Sequence, residues 1–553
     1  MALDLTPTPE PIETGETGVP LADAGKPGLR WFSLSHSYTA FTATLLLMAS
    51  TILSRVIGLV RESYIARLFG AGAQVDAYRA AFQLPETINY FLVGGIGSIV
   101  FVSILSRYRE QDREKDAQDA LSAILTMMLV VLGSGILLGE IYARSFIAWW
   151  FNGFSPEKIA LTTHMTRILL PVQLFFFAGT AIASVLIVRK NFAYQAITPL
   201  IYNLGIIFGG VAFAKTLGIS GLAWGALIGV AAGPFLLNVI GIYRIGFRVR
   251  PSFAWGHPGL VEWVKLSLPL ILGVSLVTFD TWIINHIASA GDGQIATLNF
   301  AKMLFTAPMA ILAMAAGAAS MPFFASLIAQ GKSSEFARLV NESITRIIAV
   351  SLLGSAWMIG LAAPFVNLLL RHGALKSHDA ATITLYFAVF ALSLCFWSAQ
   401  SIYSRAFYAA NNTITPAVAN TIIVIAIYPL YKVLYAHHGA MGLVYASNIG
   451  ITIQTITLAL LLHRTGLVKV SGLEWKELAR TVVTAALALV GLRILMLHLS
   501  AHTGMLADIL TLTLGSILWL AISFGLLTVM GSKLPQLITG RFLNRTNKKT
   551  APA

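Results

Sequence analysis

Charge is what this sequence has least of. Only 11% of its 553 residues are Asp, Glu, Lys or Arg, against about 25% in a soluble domain. With 56% hydrophobic residues and a mean hydropathy of +0.76, the shortage excludes an ordinary water-soluble fold, because most of the surface must then face lipid. Cysteine is almost missing too. Cys395 stands alone, which excludes an internal disulfide and a cysteine-based metal cluster. The 11 histidines are dispersed, His437-His438 is a loop pair, and no HExxH, P-loop or GxSxG pattern stands in a suitable context. The expectation is no enzyme, no cofactor and no metal. Acidic residues are also short, 24 against 38 basic ones, for a net charge of +14. In a soluble chain that excess would suggest nucleic acid. Here it reads as topogenic charge facing anionic membrane lipids, with no nucleic-acid partner.

Long apolar runs are what the chain has in plenty. Segments of about 20 residues or more, the length that crosses a bilayer, fall near 41–60, 77–105, 119–142, 160–188, 194–214, 218–243 and 259–288. Seven more follow near 296–328, 343–370, 380–409, 413–435, 440–462, 476–498 and 506–530. The expected fold class is an all-α polytopic membrane protein of about 14 transmembrane helices. Pro85, Pro171, Pro199, Pro269, Pro308 and Pro416 lie inside these runs and mark expected bends.

An even number of spans puts both termini on one side. The loops and tail on that side hold 21 of the Lys and Arg residues counted, and the opposite loops hold eight (Arg61, Arg67, Arg144, Lys158, Lys215, Arg371, Lys376, Lys432). The positive-inside rule therefore makes both termini cytoplasmic. Residues 1–35, polar and Pro/Gly-rich with no basic n-region or cleavage site, read as a disordered cytoplasmic tail. Residues 531–553, with Lys533, Arg541, Arg545, Lys548 and Lys549, read as a basic cytoplasmic tail.

The chain also repeats itself weakly. Ile197-Thr198-Pro199 with Asn203 returns as Ile414-Thr415-Pro416 with Asn420, and Pro85, Gly94, Phe101 and Ser103 return as Pro308, Gly317, Phe324 and Ser326. Two collinear copies of six spans each would form two pseudo-symmetric lobes with cargo held between them, a transporter arrangement. The expected division is a first lobe over 36–250, a second over 251–465, and two extra helices over 466–530. Arg79 maps onto Lys302 in this repeat, whereas Arg55 maps onto Thr278 and Asp76 onto Asn299, so the ionisable set is concentrated in the first lobe.

Those ionisable residues are costly in a bilayer, about 2.5–3.5 kcal/mol each at a helix centre on insertion scales, and belong by default to a polar interior. Arg55, Arg79, Glu86, Arg167, Lys265, Asp280 and Lys302 all interrupt apolar segments. The interior expected is wet and partly cationic, suited to charged cargo.

The block Ser54 to Pro85, SRVIGLVRESYIARLFGAGAQVDAYRAAFQLP, resembles the MurJ (MviN) family of lipid II flippases, within the multidrug/oligosaccharidyl-lipid/polysaccharide exporter superfamily. The likeness continues through Gly153-Phe154, Phe192 to Asn203, Leu268 to Ser275, Ile284 to Ser289, Arg371 to Leu375 and Arg405 to Pro416. It implies two six-helix lobes around a cationic cavity, with the two extra helices forming a hydrophobic groove. It implies transport of an undecaprenyl-pyrophosphate-linked peptidoglycan precursor from inner to outer leaflet of the bacterial cytoplasmic membrane, with cell-wall synthesis enzymes as further partners. The family's functional arginines map onto Arg55 and Arg61, and its aspartate onto Asp76. The pattern lapses at Asn89, Tyr90 and Met303, where relatives commonly carry arginine, and at Gly94, where an acid is common.

A pyrophosphate suits arginine, whose planar fork can bond two oxygens at once. Arg55 can be that ligand, or the partner of an interior acid. Arg61 can be a ligand or can snorkel to the interface. Asp76 would orient an arginine. Arg79 and Lys302 could face each other across the cavity, or each could snorkel. Asp280 and Asn285 could hold a coupling cation or bond within the bundle. Two competing functions remain: an exporter of another lipid-linked oligosaccharide or of a drug, and a non-transporting scaffold for cell-wall synthesis.

Overall fold

A computed structural model describes residues 40–93, 97–271, 276–310, 312, 315–499 and 504–536. The N-terminal tail, Gly94 and the end of the basic tail lie outside the described residues. Among those described there is no strand, and the chain is a succession of helices. Nine of them are long and apolar enough to cross a membrane, or ten if Ser377–Ala391 and Leu394–Ala409, bent by 43°, are one span. The expected spans near 41–60, 77–105, 259–288 and 296–328 are not among these, and the last three include residues outside those described.

The divisions have local causes. Helix α1 (Ala40–Phe69) stops at Gly70, whose φ of +67° only glycine adopts freely. Helices α2 (Ala73–Ala81) and α3 (Gln83–Val93) are separated at Phe82. Pro85, lacking an N–H, cannot donate to the Ala81 carbonyl, and the Thr166 hydroxyl donates to it instead at 3.2 Å. Pro171 separates Pro156–Leu169 from Val172–Val188. Pro234 sits in a π-helical turn, Ala231–Leu237, where the Asn238 amide donates to the Pro234 carbonyl at 2.7 Å.

Among the described residues three large apolar clusters and one small one, at Ala349, Leu527 and Leu534, hold the bundle. One draws only on residues between Leu84 and Trp263, and another only on residues between Phe324 and Leu473. The largest takes residues from both halves, among them Val75, Ile284, Phe300 and Tyr431. The last two membrane-length helices, Trp475–Leu499 and Met505–Val529, attach to the second half. Trp357 donates to Ser516 at 2.9 Å and Trp519 donates to the Leu353 carbonyl at 3.0 Å. Their outer faces stay apolar and exposed, as at Leu497 and Leu506, which suits lipid.

The halves close on each other at one end of the bundle. The Ala374 N–H donates to the Arg67 carbonyl at 2.8 Å. Gly293 (φ +76°) lies so close to Ala71 that an added Cβ would sit 2.5 Å from its carbonyl oxygen. Backbone meets backbone there, and a side chain has no room.

Candidate functional site

A cavity of about 490 Å³ lies against α2 and α3 and is lined mainly by the first half, with Thr281, Asn285 and Asn299 contributed by the second. Behind the two arginines of its wall, Arg61 and Arg79, lies Glu62, only 1% exposed. Glu62 accepts from Arg61 Nη2 at 2.6 Å and from Arg61 Nε at 3.2 Å. The same carboxylate takes two bonds from Arg79, through Nη2 and, at 3.4 Å, Nη1. Arg61 is also held by the Asn203 side-chain oxygen at 2.9 Å, and Asn203 donates onward to Ser54 at 3.3 Å. The Arg79 guanidinium lies 5.4 Å from the Phe300 ring centroid, reaching a helix of the second half, Gln294–Met309. Its Nε is buried and has no bonded partner among the described residues.

The expected site residues separate into three groups. Arg61 and Arg79 line the cavity as a pair braced by one buried acid. Arg55 is exposed and not among the lining residues. It stands seven residues before Glu62, which on an α-helix is nearly the same stripe about 10 Å away.

Asp76 meets no arginine. It is fully buried, accepts from Lys158 Nζ at 2.7 Å, and caps the start of Gln294–Met309 through the Gly293 and Ala296 N–H groups at 2.6 and 2.7 Å. A carboxylate at a helix N-terminus meets free N–H donors and the positive end of the dipole. Lys158 also reaches Asp292 at 2.9 Å. Asp76 therefore joins α2, Pro156–Leu169 and a helix of the second half at the closed end of the bundle.

Lys302 does not face Arg79 across the cavity. It is paired with Asp280 and bonded to Thr281 Oγ1 at 2.8 Å, while the Tyr431 hydroxyl donates to the other Asp280 oxygen. The lysine ammonium thus occupies Asp280, where a coupling cation was one expectation. Asn285 accepts from Asn299 at 2.8 Å, and both line the cavity. Among the described residues no group of three or more His, Cys, Asp or Glu could hold a metal.

Sequence reasoning missed Glu62, Lys158, Gln173 and Tyr431. Glu62 was legible as the acid next to Arg61 inside the quoted block. Lys158 reads from the sequence as a loop cation.

Helical halves around a charged cavity, shut at one end and wrapped in exposed apolar residues, define a polytopic membrane transporter. The family described as lipid II flippase MurJ matches residues 65–515. The chain belongs to that family. It is 28% identical over 512 residues to a lipid II flippase MurJ of Burkholderia cenocepacia, covering 89% of this chain and 98% of that one. It is 29% identical over 401 residues to a probable lipid II flippase MurJ of Buchnera aphidicola, covering 71% and 78%. Its fold is similar to that of a lipid II flippase MurJ in an inward closed conformation, with TM-score 0.72, 21% identity and coverage of 88% and 99%. It is also similar to an inward-facing multidrug resistance MATE family transporter of the MOP superfamily, with TM-score 0.60, 14% identity and coverage of 77% and 98%.

Proposed function

We propose that this chain moves lipid II, the undecaprenyl-pyrophosphate-linked precursor of peptidoglycan, from the inner to the outer leaflet of the bacterial cytoplasmic membrane by alternating access. One observation carries the reading: in a member of this family, two arginines line the cavity and share a single buried carboxylate. Two guanidiniums sharing one carboxylate keep a net positive charge at the cavity wall. That is what a pyrophosphate requires. Arg55, on the stripe leading to Glu62, meets the anionic head on its way in.

The prenyl tail stays in lipid while the head crosses. Each methylene kept from water is worth about 0.8 kcal/mol, so a long isoprenoid cannot pass through a wet cavity. The distribution of Lys and Arg supports cytoplasmic termini, with the Asp76 end toward the outer face. The lipid changes side without any bond being made or broken. The enzymes that make and polymerise it are the expected partners.

The test is rescue of cells depleted of their own flippase, read as growth and as lipid II exposed on the outer surface. The wild-type chain restores both, and Arg61→Ala and Arg79→Ala restore neither while reaching the membrane in equal amount. Wild-type protein abundant in the membrane, with no lipid II outside, overturns the reading.

A further inference from the structure

Glu86 is the acidic residue that lines the cavity without a neutralising partner. Among the described residues no salt bridge reaches it. Arg79 is near enough to attract it, yet both terminal nitrogens of that guanidinium go to Glu62. The partner of Glu86 is the indole N–H of Trp282, which donates to it. One neutral donor leaves most of the carboxylate's accepting capacity unused. A lone carboxylate inside a membrane bundle is expensive, and such residues by default mark a ligand path.

Its surroundings suit a cation of a particular kind. Glu86 is exposed to the cavity, with Gln83 three residues before it and Asn89 three after, a spacing that places all three on one side of α3, and all three line the cavity. Gln173, 5% exposed, lines the same cavity, and its side-chain oxygen is buried without a partner. Beside Glu86 stands a cluster of rings: Trp282 lies 4.9 Å from Phe279 and 5.6 Å from Tyr90, centroid to centroid. Arg61 is bonded to Glu62 and Asn203, and Lys302 to Asp280.

We infer that Glu86, with the Gln173 carbonyl, is a subsite for a primary ammonium group of the cargo. The inference rests on the flippase reading and narrows its substrate. The cavity is bipolar, with Arg61 and Arg79 for the phosphates and Glu86 for an amine on the same molecule. The lipid it takes best is one whose peptide carries a diamino acid with its side-chain amine free. An ammonium donates three hydrogen bonds, which the Glu86 oxygens and the Gln173 oxygen can accept. Masking the amine removes both the charge and that geometry.

The experiment measures binding of two lipids to the full-length purified protein: lipid II with a free side-chain amine and the same lipid with that amine acetylated. Wild-type protein prefers the free amine by about tenfold or more, as expected for losing one partner of a desolvated charge pair. Glu86→Gln, which keeps an acceptor for the Trp282 N–H, binds both lipids equally and holds the acetylated one as tightly as wild type. That unchanged affinity also shows the variant to be folded. Equal binding of the two lipids by the wild type overturns the subsite while leaving the flippase reading in place. A preference that survives Glu86→Gln also overturns it. Binding of neither lipid by the wild type overturns both readings.

Discussion

Asp76 and Lys158 meet at 2.7 Å with 0% and 4% of their side chains exposed, and the same aspartate caps the first helical turn after Gly293. A buried pair has lost its hydration, so removing one partner costs far more than the pair's net worth, roughly 3–5 kcal/mol. Lys158→Met leaves Asp76 with backbone donors alone and loosens the contact between the halves. In a Cys395→Ala background, Ala71→Cys will then react with an impermeant maleimide several-fold faster than it does with Lys158 intact. Unchanged labelling would show that the pair does not hold this end shut.

The shared carboxylate makes a second prediction. Glu62→Gln leaves two guanidiniums without their counter-charge, lowers the melting temperature of the purified protein and abolishes transport. Adding Arg79→Gln relieves part of the strain. The two substitutions are therefore non-additive, with a coupling of about 1–3 kcal/mol, as for residues in one network. Additive losses would mean that Glu62 and Arg79 act separately.

Asn203 ties Arg61 to the helix Ala193–Leu217. A hydrogen bond to a charged group is worth about 1.5–3 kcal/mol, so Asn203→Ala frees the guanidinium. Substrate affinity will fall while melting temperature moves little. A large loss of stability with normal affinity would make Asn203 a packing residue.

Asp280 carries a lysine where a coupling ion was one expectation. Exchanging sodium for potassium should leave the stability of the wild type unchanged, and Asp280→Asn should lower it. Asp280→Asn with Lys302→Met should be more stable than Asp280→Asn alone, because no uncompensated ammonium remains. Stabilisation by sodium that depends on Asp280 would restore the ion-site reading.

Glycine at 293 is required by both space and φ. Gly293→Ala places a Cβ against the Ala71 carbonyl and strains the backbone. It should open the closed end in the same labelling assay, more than Gly246→Ala, whose added Cβ meets nothing within 4 Å. Gly246 shares the positive φ, so the comparison isolates the steric term.

The fold was legible because lipid exposure writes itself as length and apolarity, which is why Glu114–Trp150 and the two last helices stand where the runs did. The partition of the polar interior was less so. The repeat pairs Arg79 with Lys302, and each is held by a carboxylate of a preceding helix. Those acids are not repeat equivalents: Glu62 precedes Arg79 by 17 residues and Asp280 precedes Lys302 by 22. Helical spacing alone cannot reveal such cross-helix choices, since they depend on how one helix is rotated against the next. Lys158 was hidden for another reason. A cation just outside an apolar run looks topogenic until the neighbouring helix brings Asp76 to it.

The cavity charges also decide where an electric field can do work. Arg61 and Arg79 stand against Glu62 and Glu86, and Lys302 against Asp280. By formal charge the unloaded centre is neutral, so its return stroke crosses the voltage almost free of electrical work. A loaded anion feels about 2.3 kcal/mol per charge for each 100 mV traversed. In the transport proposed above, polarising the membrane would act on the loaded cargo and leave the empty carrier to reset at its own pace.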